Sequence, residues 1–243
     1  MRNKAPTAPM TPPAIHRVTL LELGLKPQPW LFAEERRAEI DAHFARMQQQ
    51  KPKLWNGRVL LARNALFSEN CFSADYFETD YASFLAWRDW GHPDLEVLNG
   101  FGMGALRCAD GAFVLGEMAD HTANAGRVYF PGGAPDLDDI RGMSVDIAGS
   151  IEREIEEETG LTAADYHAAD HWDCVVTRSS VAMMRMLDVD LPGETVRAKI
   201  EANLARQSLP ELSAIHLVRG AADLTPSMPL YVTAFLKAQL TSS

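Results

Sequence analysis

The most informative part of this chain is the stretch REIEEETGL, which runs from Arg153 to Leu161. Isoleucines stand at every fourth position from 147 to 155, which predicts one apolar stripe along a helix. We expect the helix to begin at Ser144, because serine often caps a helix N-terminus. We expect it to end at Gly160, because glycine readily adopts the left-handed conformation that follows many helices.

Three carboxylates on this helix would lie close together. Glu154, Glu157 and Glu158 fall within roughly a 100° arc when a helix turns about 100° per residue. The i, i+4 pair of Glu154 and Glu158 is repulsive, and the helix dipole disfavours anions near a C-terminus. Clustered hard oxygen atoms are explained if a divalent cation, with Mg²⁺ as the first choice, completes the site. The alternative is a solvated, charged helix face.

The same stretch resembles the motif of the Nudix hydrolases, which reads G-x5-E-x7-R-E-U-x-E-E-x-G-U, where U is a bulky aliphatic residue. The residues from Arg153 to Leu161 fill its last seven specified positions with the correct spacing. Upstream, Pro131, Gly132 and Gly133 resemble the turn that opens the motif. The resemblance implies an α/β fold, a Nudix-type α/β/α sandwich built on a mixed sheet.

The first half of the motif departs from the pattern. Counting back from the motif arginine places Val145 where the first Glu belongs and Asp139 where the first Gly belongs. Gly133 therefore lies about six residues too early, as if residues 134–143 held an insertion. Asp146, one position beyond Val145, is our hypothesis for a replacement of the missing Glu.

The resemblance also implies roles for the residues of the helix. Glu154, Glu157 and Glu158 would bind Mg²⁺, with Mn²⁺ as an alternative, and Glu154 and Glu157 would take part in catalysis by helping to activate a water molecule. Arg153 would act with them by orienting Glu154, because a guanidinium group matches carboxylate geometry.

Residues outside the helix complete the predicted site. The backbone of Gly132-Gly133 can approach phosphate groups closely because glycine has no side chain. His121 and Arg127 lie in the polar loop that leads into this pair and are predicted to bind substrate. A general base outside the helix is also left open, with Glu211 and Glu201 as unranked candidates.

The remainder of the chain predicts three regions: a flexible arm over residues 1–15, an N-terminal extension over 16–98 and a Nudix domain over 99–243. The extension weakly resembles that of a Nudix branch that includes UDP-sugar pyrophosphatases. Its aromatic residues are interpreted as core, with base stacking as the alternative. Outside the helix described above, the predicted strands are His16–Leu23, Arg58–Phe67, Cys71–Phe77, Gly100–Cys108, Ala112–Met118, Val128–Phe130, Asp173–Thr177, Val181–Val189 and Glu211–Val218, and the predicted helices are Leu31–Gln50, Tyr81–Trp90, Glu194–Arg206 and Leu230–Leu240.

Composition limits the classes of partner. The net charge is −10, so the chain gains nothing from a nucleic-acid backbone or an anionic membrane. The three cysteines form no C-x-x-C pair, which favours reduced thiols over a disulfide framework or a zinc site. No signal-peptide pattern or long apolar run is visible, so a soluble, cytoplasmic protein is expected. Whether it forms a homodimer is left open.

The predicted function is a metal-dependent pyrophosphohydrolase. Its substrate would be a nucleoside diphosphate linked to another moiety, with a nucleotide sugar among the options. The main alternative is a Nudix-fold protein that binds a nucleotide without cleaving it, as a sensor. A Nudix-type isomerase is a third reading, and it would need a reactive thiol such as Cys108 or Cys174.

Overall fold

The computed structural model describes residues 13–241, which form fourteen strands and six α-helices. The strands are Ala14–Val18 (β1), Leu20–Leu25 (β2), Arg58–Phe67 (β3), Cys71–Asp80 (β4), Asn99–Cys108 (β5), Phe113–Met118 (β6), Val128–Tyr129 (β7), Gly132–Gly133 (β8), Ile140–Arg141 (β9), Ser144–Val145 (β10), His167–Ala168 (β11), Trp172–Val176 (β12), Ser180–Val189 (β13) and Leu212–Val218 (β14). The helices are Leu31–Glu35 (α1), Arg37–Gln50 (α2), Tyr81–Asp89 (α3), Ile147–Thr159 (α4), Gly193–Leu204 (α5) and Leu230–Leu240 (α6).

The larger sheet is mixed. Its central order is β1-β12-β13-β5-β6-β14, with β11 paired to β13, β7 to β6 and β8 to β5. β5 and β13 run parallel over their full length, whereas their other neighbours in the sheet are antiparallel. The expected mixed α/β architecture is therefore present.

Helices cover both faces of this sheet. Gly102 and Gly104 of β5 lie beneath α4, because a Cβ atom at either position would meet Ile151. Phe101 points to the other face, since successive side chains of a strand alternate. Its ring packs against Tyr231 of α6, with centroids 5.1 Å apart. The sheet thus lies between α4 on one side and α6 on the other.

The larger sheet opens between β5 and β6. The two strands pair beside their hairpin turn, at Arg107 and Phe113. Further along, β5 pairs with β8 while β6 pairs with β7. The segment 128–133 therefore crosses from one strand to the other, and it carries Gly132 and Gly133 into this opening.

A smaller sheet, in the order β3-β4-β2-β10-β9, joins the two halves of the chain. Its last two strands come from the insertion before α4, beyond the predicted boundary at residue 98. Conversely, β1 pairs with β12 of the larger sheet. The predicted arm at residues 1–15 lies mostly outside the described residues, and its residues 14 and 15 belong to β1. The domain boundaries stay predictions.

The start of α4 differs from the expectation. Ser144 does not cap the helix; it pairs with Gly24 and Arg141 in the smaller sheet. The N-cap is Asp146, whose Oδ1 accepts a hydrogen bond from the backbone N–H of Gly149 at 2.9 Å. The end of the helix is as predicted, with Gly160 in the left-handed conformation at φ 73°.

Two predicted elements of the extension are interrupted. The strand predicted from His16 is divided at Thr19 into β1 and β2, which join different sheets. The helix predicted from Leu31 is divided at Arg36 into α1 and α2. Within the described residues no helix is long and apolar enough to span a membrane. A cytoplasmic location, the absence of nucleic-acid and membrane partners, and the question of a homodimer stay predictions.

Candidate active site

The isoleucine stripe fixes the orientation of α4. Ile147, Ile151 and Ile155 are buried against β5, where glycine leaves room for them. Because Glu154 and Glu158 are one and three residues from Ile155, they emerge at the edge of this contact rather than on the far side of the helix. The helix thereby presents carboxylates to the opening in the sheet.

Arg153 links this helix to the insertion that precedes it. Its Nη2 donates to both carboxylate oxygens of Asp139, at 3.0 and 3.2 Å. Its Nη1 donates to Oε1 of Glu154 at 2.7 Å. The contact with Glu154 is the one that the expected orienting role requires, and the role itself stays a prediction.

Asp139 is a member of this site that the sequence did not reveal. It is 2% exposed, and its Oδ2 also accepts from the hydroxyl of Ser150 at 3.0 Å. Asp146, the hypothesised replacement for the missing Glu, is the cap of α4, and the replacement itself stays a prediction. The sequence does contain one indication of this contact. Three aspartates stand at 136, 138 and 139 in the insertion, close enough in the chain for one of them to pair with Arg153.

Burial and repulsion act on two of the helix carboxylates. Burial raises the pKa of Glu154 to about 7, with Glu157 and Glu211 adding to the shift and Arg153 opposing it. Burial also raises the pKa of Glu158 well above its ordinary range, and the charges of Glu154 and Glu211 add to that effect. Both carboxylates therefore disfavour their ionised forms unless a cation is nearby.

Glu158 carries the clearest sign of a missing partner. The residue is 6% exposed, and its Oε2 has no hydrogen-bond partner among the described residues. An unpaired buried oxygen is costly, so native proteins rarely leave one without a reason. Glu157 is different: its side chain is 63% exposed and lies 3.7 Å from Nη1 of Arg153.

A pocket of about 400 Å³ gathers most of the predicted site residues. Its walls include two helix carboxylates, one carboxylate that precedes β14, the glycine pair and one loop histidine, namely Glu154, Glu158, Glu211, Gly132, Gly133 and His121. Five other predicted residues do not line it: Arg153, Glu157, Arg127, Asp146 and Glu201. Arg127 and Glu201 are exposed, the latter on α5 beside Arg197.

The donor set of the pocket fits a divalent cation. Three carboxylates line it, and Oε2 of Glu158 has no hydrogen-bond partner among the described residues. The described residues nevertheless contain no group of three His, Cys, Asp or Glu side chains already arranged to hold a metal. Binding would therefore require side-chain rotation, which is easiest for the exposed Glu157.

A second cavity, of about 340 Å³, adjoins the carboxylate pocket. The two share Asn124, Tyr129 and the segment 132–134, so that the glycine pair forms their common wall. The second cavity is lined on one side by α3 of the extension and on the other by β5 and α6.

The thiols are placed away from both cavities. Cys108 and Cys174 are buried and line neither of them. Burial raises the pKa of Cys108 to about 11 and that of Cys174 to about 12, which keeps both thiols protonated near neutral pH. This arrangement gives the isomerase reading no reactive thiol in the pocket.

Comparison with known proteins gives a likeness of fold. No family model and no curated protein matches the sequence. The Nudix hydrolase RenU from M. smegmatis matches with a TM-score of 0.36 and 16% identity, over 59% of this chain and 84% of its own. The MutT protein from Methanosarcina mazei Go1 matches with a TM-score of 0.36 and 17% identity, over 60% of this chain and 94% of its own.

A third structure is a bifunctional NMN adenylyltransferase/ADP ribose pyrophosphatase from Francisella tularensis, matched with a TM-score of 0.39 and 14% identity over 65% of this chain and 46% of its own. RenU and two further matched structures are described as Nudix hydrolases or putative Nudix hydrolases, the family that the stretch from Arg153 to Leu161 resembles. At these scores the likeness carries no information on substrate or activity, which depend on the residues of the site.

Proposed function

We propose that this protein is a metal-dependent pyrophosphohydrolase that cleaves the phosphoanhydride of a nucleoside diphosphate linked to another moiety. The observation that supports this most is the pocket lined by Glu154, Glu158 and Glu211 beside Gly132-Gly133. Glu158 is buried, Glu154 is half-buried, and the charges of Glu154 and Glu211 oppose ionisation of Glu158. This arrangement costs stability, so a purely structural role does not account for it.

The anionic substrate gives a second reason for a cation. The chain has a net charge of −10, and the pocket walls add local negative charge. A diphosphate would be repelled from this pocket unless positive charge were supplied there. Mg²⁺ or Mn²⁺, held by Glu154 and Glu158 with Glu157 able to rotate toward them, would neutralise the phosphate oxygens and make a bound water molecule more acidic.

The remaining tasks fall to residues of the chain. Arg153 holds Glu154 in place through the 2.7 Å contact and is itself anchored by Asp139. At Gly133 nothing lies within 4 Å of the place that a Cβ atom would take, so a diphosphate can approach this part of the backbone. Glu211 reaches the pocket from another element and can accept a proton from the attacking water, because it need not bind the cation.

The test is hydrolysis of a panel of diphosphate compounds with Mg²⁺: UDP-glucose, ADP-ribose, NADH, diadenosine polyphosphates, coenzyme A and nucleoside triphosphates. Turnover of one compound that is lost in Glu158→Gln and in EDTA would support the proposal. Glu201→Gln, a matched change on the exposed face of α5, should leave the rate unchanged. Full activity in EDTA would contradict the metal-dependent mechanism.

The same panel separates the enzyme from the non-catalytic alternative. A protein that only binds nucleotides would show no turnover of any compound, while one of them still raised its melting temperature. That result would replace the proposal with a nucleotide-binding function.

A further inference from the structure

The cavity on the other side of the glycine pair is built by the extension as well as by the core. Gly132 and Gly133 separate it from the carboxylate pocket, so a ligand that lays its diphosphate across the pair can reach both. The cavity volume of about 340 Å³ is within the usual range for sites that hold a small organic ligand.

One face of α3 lines this cavity. Tyr81, Phe84 and Arg88 occur at i, i+3 and i+7, which places them within an arc of roughly 60°. All three are partly exposed; Trp87 also contributes to the cavity wall but is buried, as is Leu85. The rings of Phe101 and Tyr231 form the facing wall. Planar groups such as nucleobases bind well between aromatic walls of this kind.

Positive charge collects at one end of the cavity, which is unusual in so acidic a chain. Arg88 donates through Nε to Asp89 at 2.9 Å, and its two terminal nitrogens have no partner among the described residues. Arg178 is exposed, forms no ion pair with the described residues and precedes Ser179 and Ser180, which line the cavity. His92 also lines the cavity: burial lowers its pKa, and the charges of Arg178 and Arg88 lower it further.

The register of the sheet gives the spacing between this end and the glycine pair. Ser180 pairs with Asn99 at the start of β5, and Gly133 pairs with Gly102 three residues along the same strand. Three residues of a strand span about 10 Å. Asn99 also lines the cavity, and its Oδ1 has no hydrogen-bond partner among the described residues. A moiety that fills the cavity would therefore extend from the diphosphate to the two arginines.

We propose that this cavity binds the organic moiety of the substrate and that Arg88 and Arg178 select moieties that carry a further anionic group. This inference rests on the proposed function, since it assigns the glycine pair to the diphosphate. The shared chemistry is an anionic oxygen group, either phosphate or carboxylate, and guanidinium groups bind both. The extension is then the part of the protein that sets substrate selectivity.

The test compares matched compounds by calorimetric binding with Ca²⁺ in place of Mg²⁺, because a cation supplies the positive charge that the diphosphate needs and Ca²⁺ does not impose the strict octahedral geometry of Mg²⁺. Adenosine 2′,5′-bisphosphate and adenosine 3′,5′-bisphosphate are each compared with AMP to test for phosphate, and UDP-glucuronate is compared with UDP-glucose to test for carboxylate. For at least one pair, the compound with the extra anionic group should bind the wild-type protein about tenfold more tightly. The pair that shows this difference identifies the anionic group.

Variants then assign the selectivity to the two arginines. The double variant Arg88→Gln, Arg178→Gln should bring the affinity ratio close to one, and Arg88→Lys with Arg178 intact should keep part of it. Arg46→Gln, on an exposed part of α2 in the same extension, should keep all of it. Melting temperatures identify any variant that fails to fold. If the double variant does not fold, the affinity ratio of the Arg88→Lys variant is the test.

Three results would overturn the inference: equal affinities within every pair, a ratio that the double variant leaves unchanged, or no binding of any of these compounds. The outcome is separable from that of the proposed function. Selective binding without turnover on any substrate would refute the hydrolase alone. Turnover that depends on Glu158, without selective binding, would refute the inference alone.

Discussion

Nη2 of Arg153 lies 3.0 Å from Oδ1 of Asp139, a residue fourteen positions earlier in the chain. Asp139 is buried, and it is the last residue of the short helical turn Leu137–Asp139. Its side chain also accepts a hydrogen bond from the backbone N–H of Asp136. One carboxylate therefore bonds both to another residue of the insertion and to Arg153 of α4. The insertion is therefore an ordered part of the site.

Replacing Asp139 by Asn should weaken both the fold and the site. The variant keeps the shape of the side chain but removes the charge that pairs with Arg153, which lies partly buried beside it. Breaking such a pair costs about 2–3 kcal/mol of unfolding free energy. Because Arg153 also holds Glu154, we expect kcat to fall more than KM rises. Urea unfolding and steady-state kinetics measure the two effects, and a wild-type kcat would exclude Asp139 from positioning Glu154.

Asp146 should behave as a helix cap and nothing more. Asp146→Asn keeps an oxygen that accepts from the N–H of Gly149, so stability and turnover should both stay near wild type. Asp146→Ala removes the cap and should cost about 1 kcal/mol in thermal or chemical unfolding. A large loss of turnover in the Asn variant would instead restore Asp146 as a member of the catalytic site.

The contrast between these two aspartates shows where sequence patterns are informative. The isoleucine stripe and Gly160 predicted the direction and the end of α4, because both depend on residues adjacent in the chain. Ser144 and Asp146 are both good capping residues. The choice between them is made by pairing of Ser144 with Gly24, a contact across 120 positions that no local pattern contains.

The site shows the same limit. Spacing along the helix placed Glu154, Glu157 and Glu158 together, but it could not show that Glu158 is buried while Glu157 is exposed. The aromatic residues of the extension were interpreted as core. That holds for Trp87, whereas Tyr81 and Phe84 are partly exposed at a cavity that forms only when α3 meets β5. Long-range packing decides such differences.

Lys51 provides a link between the extension and the pocket. Its Nζ donates to the carbonyl oxygen of Thr122 at 3.0 Å, beside His121 in the loop that lines the carboxylate pocket. Lys51→Met should loosen this loop and raise KM severalfold, with a smaller effect on kcat and less than about 1 kcal/mol on stability. Lys53→Met, an exposed lysine two residues later, is the matched control. Identical kcat and KM values for the two variants would show that the contact between Lys51 and Thr122 has no effect on catalysis.

Tyr76 offers a test of stability alone. Its side chain is fully buried, and its hydroxyl has no partner among the described residues. Burial raises the pKa of this hydroxyl above its ordinary value, so the group stays neutral but unsatisfied. Tyr76→Phe should therefore raise the unfolding free energy by about 1 kcal/mol. Destabilisation of that size in urea unfolding would mean that the hydroxyl has a partner in solution.

The carboxylates of the pocket predict an unusual dependence of stability on pH. The pKa of Glu154 is raised from 4.5 to about 7 in the folded protein, so between these values the folded state binds a proton that the unfolded state has lost. Stability in EDTA should then fall as pH rises through this window, by up to about 1.4 kcal/mol per pH unit for each such group. Glu158, whose pKa is also raised, adds to the fall.

Asp75, Asp110 and Asp165 have lowered pKa values, and their contribution is lost only as pH falls below about 4. The two effects therefore occur in separate pH ranges.

The double variant Glu154→Gln, Glu158→Gln should be more stable than wild type at pH 8 in EDTA, and its stability should depend less on pH. Glu201→Gln should keep the wild-type slope of stability against pH. Mg²⁺ should restore the stability of the wild type at pH 8 and have little effect on the double variant. Unfolding curves measured from pH 4.5 to 8 would contradict the shared carboxylate site if wild type and double variant had parallel profiles.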